Sequence, residues 1–195
     1  MYHPISTEEV LRENAAYEAR INEAEEALSR RGFPRTAIFR QPVVWGEHDQ
    51  YQHVNNAHYI RWFESARMRW MELMSRTLSP EIASNLVRGR GVGIILASTY
   101  CRYRRPVTYP DTVVIGQAAL PMKFADRVTV RSQAYSVAQS AIVAEADFEC
   151  VAYDYDRLCK ASLPPEVADA LRAWTYTGED KEPYCQKTSR RKTVS

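Results

Sequence analysis

The chain lacks several features that would narrow its chemistry at once. Its four cysteines, Cys101, Cys150, Cys159 and Cys185, contain no C-x-x-C pair and have no histidine cluster near them. That spacing offers no metal site and no redox dithiol, and it leaves reduced thiols serving as small apolar side chains. No apolar run approaches the ~20 residues needed to span a bilayer. The N-terminus carries Glu8, Glu9 and Glu13 in a polar stretch, unlike a secretory signal or an acid-poor transit peptide, so a cytoplasmic location is expected. Neither charge dominates, with 26 Lys plus Arg against 24 Asp plus Glu. This balance excludes a dedicated nucleic-acid surface and strong attraction to anionic membranes. Glycine is scarce, with 7 in 195 residues, three of them in Gly89-x-Gly91-x-Gly93. A dinucleotide reading of that string fails, because Val92, Ile94, Ile95 and Leu96 continue as a strand instead of opening a helix. These glycines are expected to permit a bend or bulge.

What is present suffices for one packed core with attached arms, since 45% of the residues are hydrophobic. Ser6 and Glu9 form a capping box, and Val10, Tyr17, Ile21, Ala24 and Leu28 recur at helical spacing until Gly32 and Pro34. An amphipathic arm helix over residues 7–31 follows, with its apolar face covered by the domain or by a second subunit. Residues 36–45 are β-prone. A helix over 56–75 carries Tyr59, Phe63, Ala66, Trp70 and Leu73 on one stripe. Strands are readable at 92–104, 112–121, 127–137 and 141–155. In the last, Ile142, Ala144, Ala146, Phe148 and Cys150 share one face, and Glu145, Asp147 and Glu149 the other. Pro164-Pro165-Glu166 opens a short helix to about Trp174, and a polar tail follows, ending in the basic run of residues 187–192. The chain thus divides into an N-terminal helical arm (1–34), an α+β domain (35–156) and a C-terminal helix with tail (157–195).

Chemistry concentrates between Trp45 and Arg67. A helix start gathers unpaired N–H groups and the positive end of the macrodipole. Just upstream of this one stand Asp49 and His53, followed by Asn55 and Asn56. Asp49 suits attack on a thioester carbonyl or activation of a water, and the N–H near Asn56 suits polarisation of the carbonyl oxygen. A thiolate leaves readily, so this chemistry needs no metal and no cofactor. The ordinary alternative is that the Asn residues cap the helix, Asp49 ends a strand and His53 fills a turn. His48 and His58 are read as solvent-facing. Arg102, Arg104, Arg105 and Arg131 are candidate contacts for the phosphates of CoA or phosphopantetheine, against the plainer reading of a solvated strand face.

The string Glu47, Asp49, His53, Val54, Asn55, Asn56, Tyr59, Phe63, Glu64, Ser65, Arg67 resembles the hotdog-fold thioesterases of the 4-hydroxybenzoyl-CoA type. It is also similar to the plant acyl-ACP thioesterases. The likeness covers residues 36–155 and implies a long helix wrapped by a curved antiparallel sheet, usually dimeric. It implies that Asp49 is the catalytic carboxylate, that the Asn56 amide polarises the carbonyl, and that His53 and Glu64 assist. Gln52 stands where the hydroxybenzoyl type has Gly, and Tyr51 where the plant type has Asn. The expectation is hydrolysis of an acyl-CoA or acyl-carrier-protein thioester by a homodimer or dimer of dimers with its active site at the interface. The alternatives are a dehydratase, isomerase or release enzyme on a carrier-bound polyketide, or a non-catalytic acyl-binding subunit.

Overall fold

A computed structural model describes residues 6–181, 183 and 184. In chain order the main elements are α1 (Thr7–Arg30), β1 (Ile38–Pro42), α2 (Asn56–Ser75), α3 (Pro80–Arg88), β2 (Val92–Tyr103), β3 (Thr112–Ala119), β4 (Arg127–Ser136), β5 (Ala141–Asp154), β6 (Cys159–Lys160) and α4 (Pro165–Ala173). The strands form one antiparallel sheet in the order β1-β3-β4-β5-β2, with β6 beside the far end of β5. The curled sheet wraps the long helix α2, which is the hotdog arrangement.

The α2 stripe lies against the sheet, with Met74 buried in the core where the spacing predicted Leu73, which is half-buried. Tyr59, Phe63, Ala66, Trp70 and Met74 share a core with Val113, Ile115, Val130, Ala146 and Phe148. Every residue of β3 is buried, because α1 covers the opposite face. There Ile21, Ala24, Leu28 and Phe33 pack on Val114 and Ala118. The arm helix therefore finds cover on its own sheet. Its docking depends on Gly116, where an added Cβ would meet Phe33 Cγ at 2.7 Å. Ser6 caps α1 by accepting the Glu9 N–H at 3.2 Å.

Three details depart from the sequence expectations. First, a helix, α3, stands between the predicted helix over 56–75 and the predicted strand over 92–104. Its markers were present: Ser79 before Pro80, and Gly89 closing the helix at φ +62°. Second, the register shifts between Ala134↔Ala144 and Tyr135↔Ile142, which sends Val143 into the α2 core and Ile142 to the α1 side. The simple alternation breaks at that bulge.

Third, the polar face of β4 and β5 is buried from Arg131 and Gln133 to Glu145 and Asp147, and half-exposed only at its Arg127 and Glu149 end. Arg131 is fully buried, and its guanidinium pairs with both oxygens of Asp147 at 3.0 Å. Gln133 donates to the Tyr184 hydroxyl, and Glu145 accepts from Arg104 and Gln133. The chain after α4 closes over this face. Tyr176 N–H donates to Ala119 O at 2.7 Å, and its ring stands edge-on to Phe33. The basic run at 187–192 and Cys185 lie outside the described residues.

Candidate active site

The loop before α2 is built from local hydrogen bonds. Asp49 Oδ1 accepts the Tyr51 N–H at 2.8 Å, and Asp49 N–H donates to His53 O at 2.9 Å. The turn this closes places Gln52 at φ +61°. A left-handed conformation carries a steric cost for Gln52 that a glycine at this position would not. Val54 anchors the loop by donating to Val107 O at 2.8 Å, and its side chain is buried in the core.

Glu47 organises the entry side. Its Oε1 accepts Trp62 Nε1–H at 2.9 Å and its Oε2 accepts Val44 N–H at 2.8 Å. His58 Nδ1 lies 3.6 Å from Glu47 Oε1, and His48 Nε2 accepts the Tyr109 N–H at 2.8 Å. Both histidines are half-buried and engaged rather than solvent-facing.

Asn55 is the N-cap of α2, its Oδ1 accepting Ala57 N–H at 3.0 Å. This takes one of the orphan donors of the first turn and leaves Asn56 N–H, at the first helical position, with no acceptor among the described residues. Asp49, Tyr51, His53, Asn55 and Asn56 line one open cleft of about 520 Å³ together with Tyr59, Tyr103, Arg104 and Arg105. Tyr103 hydroxyl donates to Asn56 O at 3.2 Å. Burial pushes the Tyr59 hydroxyl up to about 12, so it remains a protonated group on the cleft wall. A carboxylate and an unengaged helix-start amide on one cleft can hold and attack a polarised carbonyl.

The predicted residues divide accordingly. The cleft gathers Asp49, His53, Asn55, Asn56, Arg104 and Arg105, but not Arg102, Arg131 or Glu64. Arg131 is a correction: it is sealed beneath the C-terminal segment and cannot meet a phosphate from the cleft. Arg104 reaches the cleft while held by Glu145. Arg105 is exposed at the rim and forms no ion pair among the described residues. Glu64 is exposed, makes no ion pair with Arg67, and borders a separate groove along the later part of α2. Two tyrosines join the cleft beyond the predicted residues: Tyr59, from the core stripe of α2, and Tyr103, from β2, a strand distant in sequence from Asn56. Among the described residues no cluster of His, Cys, Asp and Glu could hold a metal ion, and no helix is long and apolar enough to cross a membrane.

The fold defines a hotdog protein with an open cleft at the start of its long helix. Residues 43–171 match the family model of the Thioesterase-like superfamily, and the chain belongs to that family. An esterase-like protein of Aquifex aeolicus is 24% identical over 135 residues, which are 69% of this chain and 97% of that one. Among solved structures, a Pseudomonas aeruginosa protein superposes with TM-score 0.61 at 22% identity, covering 73% of this chain and 93% of its own. The 1,4-dihydroxy-2-naphthoyl-CoA thioesterase of Synechocystis gives TM-score 0.58 at 16% identity, covering 69% and 94%.

Proposed function

We propose that the protein hydrolyses an acyl thioester carried on CoA or on an acyl carrier protein, with Asp49 as the reactive carboxylate. The observation that carries this reading is the meeting of Asp49 with the unengaged Asn56 N–H on one cleft. The thioester carbonyl oxygen accepts the Asn56 N–H, so charge developing on it is met by a fixed dipole at the start of α2. Asp49 then attacks the carbonyl carbon or takes a proton from an attacking water. The C–S bond breaks, the thiolate leaves and is protonated, and water supplies the oxygen of the free acid. His53 borders the same cleft as an auxiliary proton-transfer group, and Asn55 holds the helix start in place. The exposed Arg105 suits a phosphate of the carrier arm.

The edge strand β2 supports a dimer. It is 12 residues long, largely exposed, and carries Ile95 and Leu96 at 38% and 42% exposure, an edge of the kind that invites pairing. Antiparallel pairing of two β2 edges about a central two-fold sets the Tyr103 end of one beside the Val92 end of the other. The cleft of each chain would then face the groove containing Glu64 of its mate. A thiol-release assay over short, long, aromatic and branched acyl-CoAs, with an acyl-carrier substrate included, tests the reaction. Release of thiol from none of them would refute it.

A further inference from the structure

The second groove, also of about 520 Å³, runs between the later turns of α2 and the first residues of β2. Met68, Met71, Leu86, Ile94 and Leu96 form the apolar part of its walls; Glu64 and Glu72 also border it, and Glu72 is paired with Arg69 and Arg76. Arg67 stands among them. It is only 5% exposed, its guanidinium lies 4.6 Å over the Phe148 ring, and its Nη1 has no hydrogen-bond partner. No carboxylate pairs with it among the described residues, Glu64, one turn earlier, included.

The same chain shows what a compensated buried arginine looks like, since Arg131 has Asp147 on two nitrogens. A ring face offsets only part of the desolvation of a guanidinium, so Arg67 is a cation awaiting an anion. A small inorganic anion would satisfy the charge but leave the methionine and leucine walls unfilled. An anion with an apolar body satisfies both.

We propose that this groove binds an organic carboxylate, namely the distal carboxylate of the substrate's acyl group on Arg67 with its hydrocarbon part along Met68, Met71 and Ile94. This assignment rests on the thioester reading above. Along one helix, Asn56 and Arg67 are separated by roughly 16 Å at the α-helical rise, and β2 pairing would bring the groove of one chain to the cleft of the other.

The test uses the full chain, with Arg67→Gln and Arg67→Lys. Calorimetry measures binding of hexanoate against hexanol and inorganic phosphate. Thiol release compares adipoyl-CoA with hexanoyl-CoA, which differ only at the distal carbon. Hexanoate is expected to bind wild type and R67K and to weaken about tenfold to a hundredfold in R67Q, the range of a lost charge-assisted hydrogen bond. Adipoyl-CoA is expected to exceed hexanoyl-CoA in kcat/KM by about tenfold in wild type, a preference that R67Q abolishes. Hexanoate binding R67Q as tightly as wild type overturns the site. Phosphate competing at equal concentration overturns the organic-carboxylate assignment, and equal turnover of the two thioesters overturns the substrate assignment. The wild-type comparison needs no variant to fold. If no thioester is cleaved while hexanoate binding still depends on Arg67, the hydrolase reading falls and the anion site stands.

Discussion

Replacing Asp49 by Asn removes one negative charge and changes little else. The Asn side-chain oxygen can still accept the Tyr51 N–H that Asp49 Oδ1 accepts at 2.8 Å, so the turn through Gln52 keeps its shape. The backbone bond from Asp49 N–H to His53 O is untouched. A neutral acceptor is weaker than a charged one by about 1 kcal/mol, which predicts a melting temperature lower by no more than ~2–4 °C for a chain of this size. Turnover should respond very differently. Loss of a general base lowers kcat by about 10²–10⁴, and loss of a nucleophile at least as much, with KM little changed if the Asn56 amide still holds the carbonyl. The assay is continuous thiol release at saturating acyl-CoA, with calorimetry on the same preparation. Asp49→Asn within tenfold of the wild-type rate would show that the carboxylate is not the reactive group. A large loss of melting temperature would show that it is chiefly structural.

Gln52→Gly should relieve the positive-φ strain at 61°. The gain, offset by glycine's extra chain entropy, is up to about 1 kcal/mol and should appear as a higher denaturant midpoint with an unchanged slope. Gly116→Ala places a methyl group 2.7 Å from Phe33 Cγ. It should cost about 1–3 kcal/mol and increase proteolysis within α1, while an unchanged digestion pattern would contradict the docking of α1 by Phe33. Asp147→Ala strips the bidentate partner from the fully buried Arg131. It should cost about 3–5 kcal/mol by chemical denaturation, and a loss below 1 kcal/mol would refute that ion pair as a structural one. Tyr59 titrates near 12 in the fold because burial disfavours its phenolate, against about 10 unfolded. The unfolded chain therefore releases this proton first, and stability should fall as pH rises from about 10 toward 12. A melting temperature that is flat over that interval would contradict the burial of Tyr59.

Local pattern made much of this protein legible. The stripe from Tyr59 to Trp70, the Ser6 cap, the turn residues between strands and the string from Glu47 to Arg67 each reside in a few consecutive residues. Helix and strand periods, and a carboxylate beside a helix start, are local properties. The sequence by itself therefore determined the order of α1, α2 and the long strands, the proximity of Asp49 to the start of α2 and, through the resemblance of that string, the hotdog class. Only the tertiary structure decided what lies across the sheet. Arg131 and Asp147 look like a solvated strand face until the segment after α4 closes over them, because burial depends on chain segments far apart in sequence. For the same reason Tyr103 meets Asn56 at the cleft, Arg102 stays outside it, and Glu64 turns toward a second groove. Those directions follow from how β2 and α2 lie in the curled sheet, with a register shift in β2 between Leu96 and Ser98, and none of this is written in any single stretch of residues.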